Sequence, residues 1–467
     1  MAQTLPKPTK TLSLDTAVIL ASSGGVPSTG RGAEGSSPFR QVAGLSVFQR
    51  AVFTLQRAGF SQVLVLAGEE EDELRRLLKD DPRLFIPVRW RPTREFPPEE
   101  PKTWHALAGE VEGACLVLGG HLVFTGSLAE LLREQVRNGQ TALVVSSAGD
   151  HKATRGTGAQ NLQSSPADGS VADMLIVPAG WLGHCGGTGA GSPGSRLLIG
   201  EALRSTPLPG LLDQALVNGG LRTVATSAVS PHWYQEVRDA PGATRVENLL
   251  LRSLTSELDG VVDRYFNRKL SGTLTKLFLR MGLSPNAITI VSMVIGLMSA
   301  ACFALGSYTA GIIGALLFQF SAIVDCCDGE VARLTFTESP FGAQLDITAD
   351  NIVHMAIFAA IAWAQYASHG EWLSLALGLC AVAGVAGSQW LVDRARRLRR
   401  SGWSQPDQAG RSNALLSHIA NRDFSLVLLA FAVTNTLDWF LRLAAIGSNI
   451  FWVLLAWITR PSAPARV

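Results

Sequence analysis

The first residues, MAQTLPKPTKTLSLD, lack the apolar core of a signal peptide, so the N-terminal part is expected to stay in the cytoplasm. The six cysteines (Cys115, Cys185, Cys302, Cys326, Cys327, Cys380) show neither zinc-ligand spacing nor a disulfide framework. The adjacent pair Cys326–Cys327 is expected to pack as small residues within a helix. Neither charge dominates: 40 Lys and Arg stand against 38 Asp and Glu, a net charge of +2. That net charge by itself says nothing about nucleic acid, and the clustering of the charges is more informative; no nucleic-acid partner is expected. Long apolar runs are missing from the first 258 or so residues but dominate from about residue 287. The 467 residues leave room for two or three domains.

Four carboxylates interrupt the apolar half. The stretch Asp325–Asp350 reads DCCDGEVARLTFTESPFGAQLDITAD and carries Asp325, Asp328, Asp346 and Asp350. Acidic residues between membrane-like runs are unfavourable and usually functional. Asp325 and Asp328 are three apart, and Asp346 and Asp350 are four apart. On two helices each pair would share one face, with Cβ atoms about 5–6 Å apart. Two such helices facing each other would gather an oxygen-rich pocket suited to Mg²⁺ or Mn²⁺.

The apolar half divides into six runs of membrane-spanning length, at about 287–306, 309–328, 346–366, 371–392, 423–438 and 441–459. The intervening segments 329–345 and 393–422 carry Arg333 and then Arg394, Arg396, Arg397, Arg399, Arg400, Arg411 and Arg422, whereas the other loops are short and nearly free of basic residues. The positive-inside rule turns the basic segments to the cytoplasm. Six spans would place both termini, and the carboxylates, on that side of an inner or cytoplasmic membrane.

Residues 246–286 form a connector with apolar residues at helical spacing and interleaved Arg264, Arg268, Lys269, Lys276 and Arg280. This pattern predicts one or two amphipathic helices on the membrane surface. Lys276 and Arg280 suit contact with anionic lipid, and Arg264, Asn267, Arg268 and Lys269 suit a phosphate-bearing substrate. Arg394 and Arg397, extending the fourth span, and Arg422, before the fifth, are candidates for an acceptor phosphate beside their anchoring role.

Residues 1–245 read as an α/β domain with a largely parallel sheet. Strands are expected at Thr16–Gly25, Ser61–Gly68, Ala114–Gly120 and Thr141–Ser147, with a helix over Leu45–Ala58. A glycine-rich loop after the first strand can hold phosphates through backbone N–H groups.

The stretch 325–350 matches the pattern D-x2-D-G-x2-A-R-x8-G-x3-D-x3-D at Asp325, Asp328, Gly329, Ala332, Arg333, Gly342, Asp346 and Asp350. In this it resembles the CDP-alcohol phosphotransferase (CDP-alcohol phosphatidyltransferase) family, over about Asp259 to Thr459. The resemblance implies an all-α, six-helix transmembrane domain at 287–467. It implies transfer of a substituted phosphate from a CDP-linked alcohol to an acceptor alcohol or phosphorylated polyol, with release of CMP. Asp325, Asp328 and Asp346 would be the main ligands of two Mg²⁺ or Mn²⁺ ions, and Asp350 the base, also touching a second ion. Asp325, Gly329, Ala332, Arg333 and Gly342 would face the CDP group. Members of that family often form homodimers through the membrane domain, so the resemblance makes a homodimer possible here.

The first domain resembles sugar-phosphate nucleotidyltransferases, through AVILASSGG, GRG and SPFRQVAGLSVFQRAVFTLQRAGFSQVLVLAG. It departs from them where a lysine is expected after Pro38, since Phe39 and Arg40 follow. A metal-binding Asp is expected where Gly119-Gly120-His121 stands, and Glu236 is a loose match to a second acid. The domain is therefore expected to be a degenerate nucleotidyltransferase. The order of the two domains and the connector DGVVDRYFNRKLS resemble the bifunctional inositol-phosphate cytidylyltransferase and di-inositol-phosphate phosphate synthase group. Two other functions compete. An aspartate-rich prenyltransferase needs two separate aspartate motifs and leaves Gly329, Ala332-Arg333 and Gly342 unexplained. A membrane-tethered nucleotide-binding module without transferase activity fits the first domain only.

Overall fold

The computed structural model describes residues 12–21, 38–140, 142–147, 162–163, 171–185, 198–199, 201–204, 206–209, 211, 221–226, 230–254, 268–400 and 424–458. The chain divides into two compact units, Met1–Leu250 and Leu251–Val467.

The first unit is α/β. Its strands are β1 (Leu14–Leu20), β2 (Gln41–Val42), β3 (Leu45–Ser46), β4 (Gln62–Ala67), β5 (Val88–Pro92), β6 (Ala114–Gly119), β7 (Leu122–Phe124), β8 (Ala142–Ser147), β9 (Leu162–Gln163), β10 (Val171–Pro178), β11 (Leu198–Ile199), β12 (Leu221–Thr226) and β13 (Tyr234–Glu236). Its helices are α1 (Val47–Arg57), α2 (Glu71–Leu78), α3 (Pro101–Ala108), α4 (Gly126–Arg137), α5 (Ala179–Leu182) and α6 (Glu201–Arg204). Helix α7 (Ala240–Ser253) crosses the boundary between the units. Strands β1, β4 and β6 are almost wholly buried, which is why they read as continuous apolar runs rather than alternating ones. Their side chains meet Trp104, Leu107 and Trp181 in one core.

The main sheet runs β5-β4-β1-β6-β10-β8-β12-β9, with β11 beside β10. Strands β5, β4, β1 and β6 are parallel, as are β8 and β12. Strand β10 is antiparallel to both β6 and β8, and β9 to β12, so the sheet is largely parallel with antiparallel pairs around β10 and at the β9 edge. Helix α1 starts with a reciprocal cap: Ser46 Oγ accepts from the Gln49 N–H at 3.2 Å, and Gln49 Oε1 accepts from the Ser46 N–H at 3.2 Å.

The second unit is helical: α8 (Arg268–Arg280), α9 (Pro285–Ala304), α10 (Tyr308–Thr335), α11 (Pro340–His369), α12 (Trp372–Arg400), α13 (Phe424–Val433) and α14 (Leu437–Ile458). Serines 284, 307 and 339 cap the starts of α9, α10 and α11, with Pro285 and Pro340 in the first turn of α9 and α11. Helices α9 and α11 pack against each other, and both α10 and α11 contribute to a core around Phe303, Phe318, Ile357, Phe358 and Phe440. Five helices among the described residues are long and apolar enough to cross a membrane: α9, α10, α11, most of α12 (to Arg394) and most of α14 (to Leu454). The run expected as a fifth span at 423–438 contains α13, which is ten residues long, and the break at Thr434–Thr436. Asn435 there has φ 57°, the left-handed conformation that ends helices. Asp438, at the end of that expected run, and Arg442, in the next, both lie inside α14.

Two other boundaries differ from expectation. Helix α10 continues past residue 328 to Thr335 and α11 begins at Pro340, so Arg333 is helical rather than in a long loop. Helix α12 runs on to Arg400, as expected for an arginine run that extends the fourth span. Hydropathy marks where the apolar run stops, whereas Glu, Ala, Leu and Arg beyond it are good helix formers.

Candidate active site

The turn between α10 and α11 is short. Phe336, at φ 56°, ends α10, and Ser339 Oγ accepts from the Gly342 N–H at 2.9 Å to start α11. This hairpin brings Asp325 and Asp328 of α10 together with Asp346 of α11. One carboxylate oxygen each from Asp325, Asp328 and Asp346 lies within 4.8 Å of the others. Asp325 and Asp328 are 5% and 8% exposed, and Asp346 is half-buried. Asp350 is half-buried one turn further along α11 and does not belong to this group of three.

Helix α9 supports the carboxylates. Thr289 Oγ1 donates a short hydrogen bond to Asp328 Oδ2, and Ser292 Oγ donates to Asp325 Oδ1 at 3.4 Å. The Ser292 hydroxyl also lies 2.8 Å from the Thr289 carbonyl. Sequence reasoning missed both hydroxyls. Their only signal is the three-residue spacing of two polar positions in an apolar run, which places them on one helix face.

The small residues have visible reasons. A Cβ on Gly342 would lie 3.1 Å from Asn286 Oδ1, at the start of α9. A Cβ on Gly329 would lie 3.4 Å from Arg333 Nη1, so the guanidinium folds back over that glycine. Ala332 is half-buried, while Arg333 is exposed. Gln344 Nε2 donates to Asp393 Oδ1 at 3.3 Å, joining the start of α11 to the late turns of α12. Arg394 is exposed, with its guanidinium 5.3 Å from the centre of the Trp390 ring. Arg264, Asn267 and Arg422, the side chains of Arg268, Lys269 and Arg397, and the glycine-rich loop at 22–37 lie outside the described residues.

In the first unit, Gly120 follows β6, and a Cβ there would sit 3.2 Å from the Ala21 Cα of the neighbouring strand end. Pairing of β13 with β7 carries Glu236 to His121. Glu236 Oε1 is 3.1 Å from His121 Nε2, and Oε2 is 2.6 Å from Arg238 Nε. Tyr234 donates to Asp173 Oδ2 at 3.1 Å. Glu236 therefore meets two basic side chains. Burial pushes its carboxyl up, but the bonds from His121 and Arg238 outweigh this and hold it below the usual range. Burial dominates at Asp173 and holds that carboxyl above it.

Residues 282–457 match the CDP-alcohol phosphatidyltransferase family, so the second unit carries a CDP-alcohol phosphatidyltransferase domain. A protein of Rubrobacter xylanophilus named "Bifunctional IPC transferase and DIPP synthase" is 27% identical over 74% of this chain and 76% of its own length. The protein of that name in Aquifex aeolicus is 29% identical over 30% of this chain, and the match spans only 32% of the relative. Among solved structures, the phosphatidylinositol phosphate synthase of Mycobacterium tuberculosis is similar to part of this chain. Its complex with manganese and citrate is 24% identical and covers 42% of this chain and 93% of its own, with a TM-score of 0.31. Its form with CDP-DAG bound is 23% identical and covers 43% and 98%, with a TM-score of 0.32.

Proposed function

We propose that the chain is an integral-membrane transferase that moves a substituted phosphate from a CDP-alcohol to an acceptor alcohol and releases CMP. One observation carries the reading. Three carboxylates from two helices converge within 4.8 Å, at positions of the signature that the family match covers.

The donor set fits a hard divalent cation: it is all carboxylate oxygen, with hydroxyl support from Thr289 and Ser292. Asp325, Asp328 and Asp346 would hold Mg²⁺ or Mn²⁺, with Asp350 beside a second ion. Bound there, metal supplies positive charge for the phosphoryl and leaving oxygens. The chain's own groups do the rest. Arg333, with Gly329 and Ala332 small beside it and Gly342 at the facing helix start, contacts the donor phosphates. Asp350 accepts the proton of the acceptor hydroxyl as its oxygen bonds to phosphorus. The P–O bond to CMP breaks as the new one forms, and CMP leaves with the electron pair.

The relatives' names favour an inositol-type acceptor such as inositol phosphate, with CDP-diacylglycerol or CDP-inositol as donor. Arg268, Arg394, Arg397 and Arg422 are assigned to the acceptor phosphate. Six spans, with α13 part of the fifth, would place both termini and the site in the cytoplasm, and the second unit would pair as a homodimer. A bifunctional enzyme, whose first unit also makes the CDP-alcohol, is the second reading, favoured by the relatives' names. The His121–Glu236–Arg238 contacts weigh against it, because they engage the acid that a cation would need.

Purified chain should release CMP from a CDP-alcohol in the presence of Mg²⁺ or Mn²⁺ and an acceptor. Asp350→Asn should lower that rate by about 10²–10⁴-fold. An Asp350→Asn chain as active as the wild type would sink the assignment. At least one of Arg394→Ala, Arg397→Ala and Arg422→Ala should raise the acceptor KM by about tenfold, the loss of one charged hydrogen bond. Unchanged KM in all three would remove these arginines from the acceptor site.

A further inference from the structure

The signature leaves two positions open between Gly329 and Ala332, and Glu330 fills the first. It is 2% exposed, on the carboxylate helix α10, two residues beyond Asp328. Ser271 Oγ donates to its Oε1 at 2.8 Å and Thr275 Oγ1 to its Oε2 at 2.7 Å. Both hydroxyl residues are fully buried and lie four apart on one face of α8. The Cys327 thiol reaches the Ser271 carbonyl at 3.6 Å. Around this contact Leu274 and Phe278 of α8 pack with Ile288 of α9 and with Val324, Cys327 and Val331 of α10.

The helix expected to lie on the membrane surface is therefore bound into the bundle beside the aspartates. Apolar packing alone is non-directional and tolerates sliding of one helix along another. A buried carboxylate whose two oxygens each accept from the same neighbouring helix does not, because a shift would break both of these bonds at once. Through residues 281–284, α8 leads into α9, which carries Thr289 and Ser292.

We propose that Glu330 is a positioning residue: its bonds to Ser271 and Thr275 set the register of the α8–α9 pair against α10, so that Thr289 and Ser292 hold Asp328 and Asp325 in one arrangement. This rests on the metal-site reading above.

The test is Mn²⁺ binding by the full chain in lipid nanodiscs, read from loss of the free-ion EPR signal. Ser271→Ala/Thr275→Ala and Glu330→Ala should each weaken Mn²⁺ binding by about tenfold, the lower end for outer partners of a metal site. The single variants Ser271→Ala and Thr275→Ala should fall between, and they serve if the stronger variants do not fold. Glu330→Gln keeps an acceptor and offers a donor to a hydroxyl that can turn, so it should stay within about twofold of wild type. Leu277→Ala, on the exposed face of α8, should leave binding unchanged. Wild-type affinity in the serine and threonine variants overturns the inference alone. So does a Glu330→Gln chain as impaired as Glu330→Ala, since charge rather than register would then be at work. A wild-type chain that binds no Mn²⁺ overturns the metal-site reading together with this one.

Discussion

Asp173 and Glu236 share one polar cluster in the first unit, yet their carboxyls shift in opposite directions. Glu236, held low, contributes stability above the ordinary glutamate range and loses it as pH falls through its folded value. Asp173, held high, is a burden once ionised, and acid relieves it. At pH 7, Glu236→Gln should destabilise the chain by about 1–2 kcal/mol, the scale of a charged hydrogen bond. Asp173→Asn, which keeps an acceptor for Tyr234, should stabilise it at that pH. Both differences should shrink towards pH 4 in thermal melts of the full chain, and a pH-independent difference would refute the electrostatic origin. The aspartates of the second unit were legible in the sequence because charges in an apolar run stand out. Thr289, Ser292, Ser271 and Thr275 were not, because hydroxyl residues in apolar helices are ordinary and only tertiary packing gives them partners. Glu330 was visible as a residue but not as a role, since its donors lie 55 and 59 positions away.

At the scale of elements, periodicity and hydropathy located helices well and their ends poorly. Asn435 broke an apolar run that composition alone joined. The direction of β10 was hidden for another reason: a buried strand has the same apolar content whichever way it runs, and only its connections fix its sense. Helix packing was equally hidden. Gly378 of α12 faces Ala362 of α11 so closely that an added Cβ would collide with the alanine methyl. Gly378→Ala should therefore destabilise the second unit by about 1–3 kcal/mol, the usual range for overpacking. Adding Ala362→Gly should recover part of that loss in a double-mutant cycle of detergent melts. Simple additivity would show that the two residues do not share the contact.

For the whole molecule, the proposed six-span arrangement puts the α10–α11 turn and the α11–α12 turn on opposite sides of the membrane. Glu338 and Glu371 are exposed in these turns. In intact cells, an impermeant maleimide should label Glu371→Cys and spare Glu338→Cys, with the unsubstituted chain as blank. The reverse pattern would invert the topology. The α10–α11 hairpin has a further consequence. Its three converging carboxylates span only residues 325–346, joined through the turn at 336–339. Chain-closure entropy rises with loop length, so gathering these ligands is inexpensive compared with sites drawn from distant segments. The chemistry is thus concentrated in a short, nearly self-contained cassette. Such a cassette can be carried behind different soluble domains without being rebuilt, and the first unit can change its own residues while the hairpin keeps its geometry.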